Sequence, residues 1–221
     1  MERKFPDRVE DLTCLFAEFG QLAAKYKAVD LAIGTPEQDP PQFLKDQLIE
    51  AVHTGPHQYH HPRGYPPLRE SLAKHYSEYY KVLERDLDPQ TEILATAGGV
   101  AGLYCSCMAL LCEGDEIVSF EPFWPGFINI AKPAGATLKG VPLKMVKDTE
   151  SKTISWEYDW DLLEETLSES TKMLMLINPQ SPGGRVFTEE EIAKISEIID
   201  RKCPNCYVLC DDVYDFLRTF C

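Results

Sequence analysis

Four short segments carry residue types able to grip a flat, charged ligand. Thr96-Ala97-Gly98-Gly99-Val100-Ala101-Gly102 sets two glycines where a strand would pass into a helix. Backbone amides with no Cβ beside them can approach an anion closely, and a helix N-terminus adds donors and a favourable dipole. The same residues also suit a plain tight turn. Neither the Gly-Lys-Ser/Thr ending of a Walker loop nor a Gly-x-Gly-x-x-Gly spacing is present. Glu121-Pro122-Phe123-Trp124-Pro125-Gly126-Phe127 puts aromatic rings just past a second strand end, where a ring could lie on a planar ligand or pack in the core. Asn178-Pro179-Gln180-Ser181-Pro182-Gly183-Gly184 follows a third, and Asp211-Asp212-Val213-Tyr214 a fourth. Asp211 could pair with a protonated ring nitrogen and hold its charge, as a heterocyclic electron sink requires. Tyr214, three residues on, could donate to a phenolate oxygen of the same ring. Alone, the last segment could equally be a solvated strand–helix junction.

The elements that must position these residues are legible from residue 91 onward. Glu92–Thr96, Glu116–Phe120, Ala136–Leu143, Lys172–Ile177 and Tyr207–Cys210 read as strands. Helices are expected from Gly98-Gly99 to about Cys112, over Gly126–Lys132 and over Trp160–Leu167. Another follows Thr188-Glu189-Glu190-Glu191, a capping box ahead of Ile192, Ile195, Ile198 and Ile199. Strands alternating with helices, without hairpin signals, predict a mostly parallel sheet covered on both faces. Ligands of such sheets sit at the carboxyl ends of the strands, where each candidate motif falls. Before residue 91 the sequence predicts a mixed, partly helical start, a Pro-rich loop over 34–41, a helix over Phe43–Val52, a His- and Tyr-rich loop over 53–65, and a helix opened by Pro66-Pro67.

Composition narrows the partners. A formal net charge of −14 over 221 residues, with no basic run, argues against nucleic acid, whose binding is dominated by phosphate neutralisation. The longest apolar run, Gly102–Cys112, is too short for a bilayer, which takes about 20 residues. The charged Met1–Asp7 start lacks an apolar signal core. A cytoplasmic protein is expected. Eight cysteines in a chain of this size do not make a disulfide scaffold. Cys203-Pro204-Asn205-Cys206 has metal-ligand spacing but no second pair to complete four ligands, so no metal site is expected. Cys105, Cys107 and Cys112 are expected as small apolar groups on a buried helix.

Order and spacing together resemble the first half of class I/II pyridoxal-phosphate aminotransferases, nearest the kynurenine aminotransferase and cysteine-conjugate β-lyase branch. The resemblance runs from about residue 28 to 217 and rests on Gln58-Tyr59, Gly64-Tyr65-Pro66-Pro67-Leu68-Arg69, Thr96-Ala97-Gly98-Gly99, Gly114-Asp115-Glu116-Ile117, Glu121-Pro122-Phe123, Gly184-Arg185-Val186-Phe187 and Asp212-Val213-Tyr214. It implies a three-layer α/β sandwich with a mostly parallel sheet, the large domain of fold type I, with pyridoxal 5'-phosphate as cofactor. Residues 1–50 would form an N-terminal arm and helix, and 51–221 the cofactor-binding large domain. By position, Gly99 and Val100 would give amides to the cofactor phosphate, and Trp124 would stack on the ring. Asp211 would pair with the ring nitrogen and Tyr214 would bond the ring hydroxyl oxygen. Tyr59 would reach the partner subunit's cofactor in a homodimer, and Gly34 would lie on the substrate side.

Three departures qualify these expectations. Ser181 stands where the family has an asparagine bonding the ring hydroxyl oxygen, and is shorter. Val100 stands where relatives often carry an aromatic residue, which alters the substrate pocket. No lysine matches the Schiff-base lysine, which in the family follows the Asp-x-x-Tyr motif, so the resemblance implies a large domain incomplete at its C-terminus and no catalytic residue within the chain. The expected activity is transfer of an amino group between an amino acid and a 2-oxo acid, with aromatic or sulfur-containing donors, possible β-elimination, and kynurenine among the substrates. The alternatives are an inert truncated homologue that binds cofactor or pairs with a full-length subunit, and an unrelated doubly wound protein holding a nucleotide at Gly98-Gly99.

Overall fold

An unbroken apolar run such as Met173-Leu174-Met175-Leu176-Ile177 suits a strand covered on both faces, because successive side chains point to opposite sides of a sheet. In the computed structural model, which describes residues 15–29, 31, 34, 38–80 and 84–217, this run lies in β5 (Thr171–Ile177), and all five residues are buried. It pairs within a four-stranded sheet with β1 (Glu116–Glu121), β2 (Thr137–Pro142) and β6 (Tyr207–Asp211), in the order β2-β1-β5-β6. Every ladder of that sheet is parallel, with Ile117 opposite Leu138 and Met173, and Met173 opposite Tyr207. The expected N-terminal segment before Leu15, the middle of the 34–41 loop and residues 218–221 lie outside the described residues.

Alternation along the strands sorts the core into two faces. Val118, Phe120, Leu174 and Leu176 enter one cluster with Leu163 of α6 (Trp160–Thr166) and Ile195, Ile198 and Ile199 of α7 (Glu189–Lys202). Ile117, Met173, Met175 and Ile177 enter the other, with Cys107 of α4 (Gly99–Leu110) and Phe127 and Ile130 of α5 (Gly126–Ala131). The three-layer α/β arrangement follows, held chiefly by burial worth about 1.5–3 kcal/mol for each fully covered Leu, Ile or Met. The entry to α7 is fixed by the capping box. Thr188 Oγ1 accepts from the Glu191 amide at 3.2 Å, and the Glu191 carboxylate accepts from the Thr188 amide at 3.0 Å. The acidic first turn and the basic Arg201 and Lys202 of the last turn complement the helix dipole. The chain runs from β1 outward to β2, then returns to the other side of β1 for β5 and β6. That reversal between β1 and β5 is the switch point at which open α/β sheets admit ligands.

Three expectations are corrected. The chain does contain a hairpin, β3 (Lys144–Asp148) paired antiparallel with β4 (Thr153–Glu157). Its turn has no Asn-Gly signal. Instead the Asp148 carboxylate accepts from the Glu150 and Ser151 amides at 2.8 and 3.2 Å, and Lys152 takes φ 55°, so an acidic side chain organises the turn. Glu92–Thr96 makes no ladder with any described strand. The Ala95 amide donates to the Arg63 carbonyl at 3.0 Å, so Gly98-Gly99 opens α4 after an irregular segment. Cys105 and Cys112 are exposed while Cys107 is buried. Residues two apart lie on opposite faces of a helix, so α4 cannot turn both Cys105 and Cys107 inward.

The described residues divide into two compact units, one ending at Gly98 and one starting at Gly99. The first holds α1 (Leu15–Tyr26), α2 (Gln42–Thr54) and α3 (Pro66–Tyr80). Arg69 of α3 is 1% exposed, and its guanidinium donates to the Pro89 and Gly64 carbonyls and to the Gln90 side chain at 2.5 to 3.4 Å. A charge is tolerated there because fixed acceptors meet its donors.

Candidate functional site

At the carboxyl edge of the parallel sheet, three strand ends and one helix start enclose a cleft of about 250 Å³. Gly99, Val100, Trp124, Ser181, Asp211 and Tyr214, the six predicted cofactor residues of this unit, all line it, with Leu103, Ile177 and Val213. The other two predicted residues belong to the first unit. Tyr59 is fully exposed, and Gly34 is exposed as well.

Each wall has a local cause. Trp124 follows the end of β1, and its indole lies over Gly126, where a Cβ would fall 2.0 to 2.4 Å from ring carbons. Only glycine leaves room for that pose. Phe127 meets the indole edge-on, with centroids 5.9 Å apart, an arrangement aromatic quadrupoles favour. Ser181 lies in the loop after β5. That loop is tied to β6 by the Asn178 amide, which donates to the Asp211 carbonyl at 3.1 Å, and to the start of α7 by the Asn178 side chain, which accepts from the Phe187 amide at 3.3 Å.

Gly99 and Val100 begin α4, where the first amides have no acceptor within the helix. Gly98 takes φ 88°, a conformation that favours glycine. Gly99 has no such need, and a Cβ on it would meet nothing within 4 Å. Neither backbone strain nor the chain's own packing accounts for a glycine there. The space over it is open.

Asp211 supplies the charge. It ends β6 half-buried, with Oδ1 accepting from the Val213 amide at 3.3 Å. Burial pushes its carboxyl above the ordinary value; the Val213 hydrogen bond lowers it, and the neighbouring Asp212 adds to the rise. A carboxylate held against its solvation preference gains from a cationic partner. No lysine or arginine lines the cleft among the described residues, and the donors these residues bring are the α4 amides and the Ser181 and Tyr214 hydroxyls. Leu103, Ile177 and Val213 were not singled out from sequence. Leu103 lies one helical turn after Gly99, and Val213 two residues after Asp211, so their spacing from the polar residues was the available signal.

This arrangement in an α/β domain suits a planar ligand that is anionic at one end and carries a protonatable nitrogen at the other. The class I and II aminotransferase model matches residues 26–217. The chain is 32% identical over 211 residues to the kynurenine–oxoglutarate transaminase of Dictyostelium discoideum, covering 92% of this chain and 48% of that protein. It is 32% identical to human kynurenine–oxoglutarate transaminase 3, covering 98% of this chain and 48% of that one. The N-succinyldiaminopimelate aminotransferase structure from Mycobacterium tuberculosis superposes with a TM-score of 0.82 at 30% identity, over 95% of this chain and 52% of that chain. The chain belongs to the class I and II aminotransferases.

It spans about half the length of the curated relatives it matches. The family depends on pyridoxal phosphate and uses amino acid and 2-oxo acid substrates. The residues present fit that cofactor: open space over Gly99, an indole wall at Trp124, and a carboxylate at Asp211 whose burial favours a cationic partner. No described helix is long and apolar enough to cross a membrane.

Proposed function

We propose that this chain forms the cofactor-holding part of an aminotransferase that moves an amino group from an aromatic or sulfur-containing amino acid, kynurenine among them, to a 2-oxo acid. The observation that carries this reading is the convergence of Trp124, Ser181, Asp211, Tyr214 and the α4 N-terminus on one cleft. The relatives at 32% identity whose names specify kynurenine and oxoglutarate support the substrate class.

When bound, pyridoxal phosphate supplies an electron sink for charge developing at the amino acid's α-carbon. The residues of this chain hold it in place. The Gly99 and Val100 amides donate to the phosphate at the positive end of α4. Trp124 covers one face of the ring. The Asp211 carboxylate keeps a proton on the ring nitrogen, while Tyr214, with Ser181 beside it, donates to the ring hydroxyl oxygen. Buried Ile177 and part-buried Leu103 keep water from the apolar side, which strengthens each of those contacts. Tyr59, fully exposed, reaches the partner's cofactor in a cytoplasmic homodimer, and Gly34 lies on the substrate side. Residues 1–50 serve as an arm to a cofactor domain over 51–221.

Equilibrium dialysis of the purified chain against pyridoxal phosphate tests the site. Saturable uptake is expected, with loss in Trp124→Ala and Asp211→Ala. Uptake equal in both variants, or none in the wild type, sinks the reading. Transfer by this chain alone is tested by adding kynurenine and 2-oxoglutarate and following the new oxo acid. Product above what free cofactor generates would overturn the reading of this chain as the cofactor-holding part only, since no lysine in it matches the Schiff-base position.

A further inference from the structure

Trp124 and Ser181 stand on separate loops, after β1 and after β5, and one side chain joins them. Gln180 is 5% exposed. Its Nε2 donates to the Pro122 carbonyl, two residues before Trp124. Its Oε1 accepts from the Gly183 amide at 2.6 Å, two residues after Ser181. Its own amide donates to the Arg185 carbonyl at 2.7 Å, and its carbonyl accepts from the Gly184 amide at 2.6 Å. Gly183 closes against it so tightly that a Cβ there would lie 2.4 Å from Oε1.

A buried carboxamide is stable only with its polar atoms matched. Among side chains of this length only glutamine offers one donor end and one acceptor end with no charge. Leucine offers neither, and an ionised glutamate loses the donor.

We propose that Gln180 is the positioning residue of the cleft, clamping the indole loop to the Ser181 loop so that both walls keep one geometry. This rests on the reading of the cleft as a cofactor site, and it assigns Gln180 no contact with the cofactor. The clamp reaches Trp124 through the Pro122 carbonyl, in addition to the contacts of Trp124 with Gly126 and Phe127, and reaches Ser181 as its chain neighbour.

The test uses the whole chain labelled with 5-fluorotryptophan, the Trp124 resonance being identified by its loss in Trp124→Phe. In Gln180→Leu the Trp124 resonance shifts or broadens, exchange of the Gly183 amide speeds up by about tenfold or more, and the dissociation constant for pyridoxal phosphate rises by about tenfold. The Trp160 resonance, in the cluster on the other side of the sheet, stays in place and reports that the fold is intact. Gln180→Glu behaves like the leucine variant near neutrality and recovers the wild-type Trp124 resonance in mild acid, where a protonated carboxyl regains a donor for Pro122.

Wild-type Trp124 and Gly183 signals in folded Gln180→Leu overturn the proposal. If that variant loses the Trp160 reference, Gln180→Glu decides alone, and absence of acid recovery overturns it. If the wild-type chain takes up no cofactor, the cofactor reading fails, while the clamp is still judged on Trp124 and Gly183 in the ligand-free chain.

Discussion

Replacing Asp211 by Asn removes one charge while keeping the shape and an oxygen for the Val213 amide. Burial raises the Asp211 carboxyl above its ordinary value of 3.8, so the folded chain takes up a proton there more readily than the unfolded chain. Stability therefore falls as pH rises from the unfolded value through the raised folded one, and above that window the ionised carboxylate carries a constant penalty. Asparagine carries none. Without cofactor, Asp211→Asn is expected to melt at or above the wild type at about pH 7, and the two should converge in acid below the unfolded value.

Pyridoxal phosphate reverses the order. A charge-assisted hydrogen bond to a ring N–H⁺ is worth about 1.5–3 kcal/mol, so the variant should lose roughly ten- to hundredfold in affinity and gain less thermal protection from added cofactor. Differential scanning fluorimetry across pH, with and without cofactor, reads both effects. A ligand-free variant that melts below the wild type by the same margin at every pH would refute the reasoning, because the carboxylate would then be stabilising the fold.

Three further outcomes follow from single contacts. Gly126→Ala places a methyl group 2.0 to 2.4 Å from where the indole carbons now lie, so the ring must leave its pose. Such overpacking costs about 1–3 kcal/mol, and the Trp124 signal should change together with cofactor uptake; a change in melting temperature alone would argue against the contact. Thr188→Ala breaks the capping box of α7 at about 1 kcal/mol, a drop of about 2–4 °C in Tm for a chain of this size; an unchanged Tm would show that the cap adds nothing. Burial pushes the Cys107 thiol up to about 11 and the Cys206 thiol up to about 12. Near neutrality, iodoacetamide should therefore label the exposed Cys105 and Cys112 first, and peptide mapping that finds Cys107 labelled as fast would contradict the packing of α4.

The sheet and its covering helices were legible where pattern and packing coincide. The run from Met173 to Ile177 had to be covered on both faces, and Thr188 with Glu191 marked the start of α7 one residue before its first turn. The cleft residues Asp211, Trp124 and Gly99 were legible through the order and spacing of their motifs at strand ends, because singly they suit a solvated junction, a core or a tight turn as well. Illegible were features that depend on partners distant in sequence. Glu92–Thr96 has strand composition, yet a strand exists only where another chain segment accepts its hydrogen bonds, and the Ala95 amide goes to Arg63 instead. The β3–β4 turn is closed by the Asp148 side chain, so the usual glycine signal was missing. Gln180 carries no mark of its own within the Asn178–Gly184 segment, and its role becomes visible only when Pro122 is brought beside it. Leu103 and Val213 are apolar residues without a chemical mark, and only the closed cleft distinguishes them.

A crystal structure of this chain soaked with pyridoxal phosphate is the most direct examination of the central claim. The account predicts the ring against the Trp124 indole, the ring nitrogen within hydrogen-bonding distance of an Asp211 carboxylate oxygen, and the phosphate on the amides of Gly99 and Val100. Cofactor bound away from the β1, β5 and β6 strand ends, or lying there with its nitrogen remote from Asp211, would contradict it.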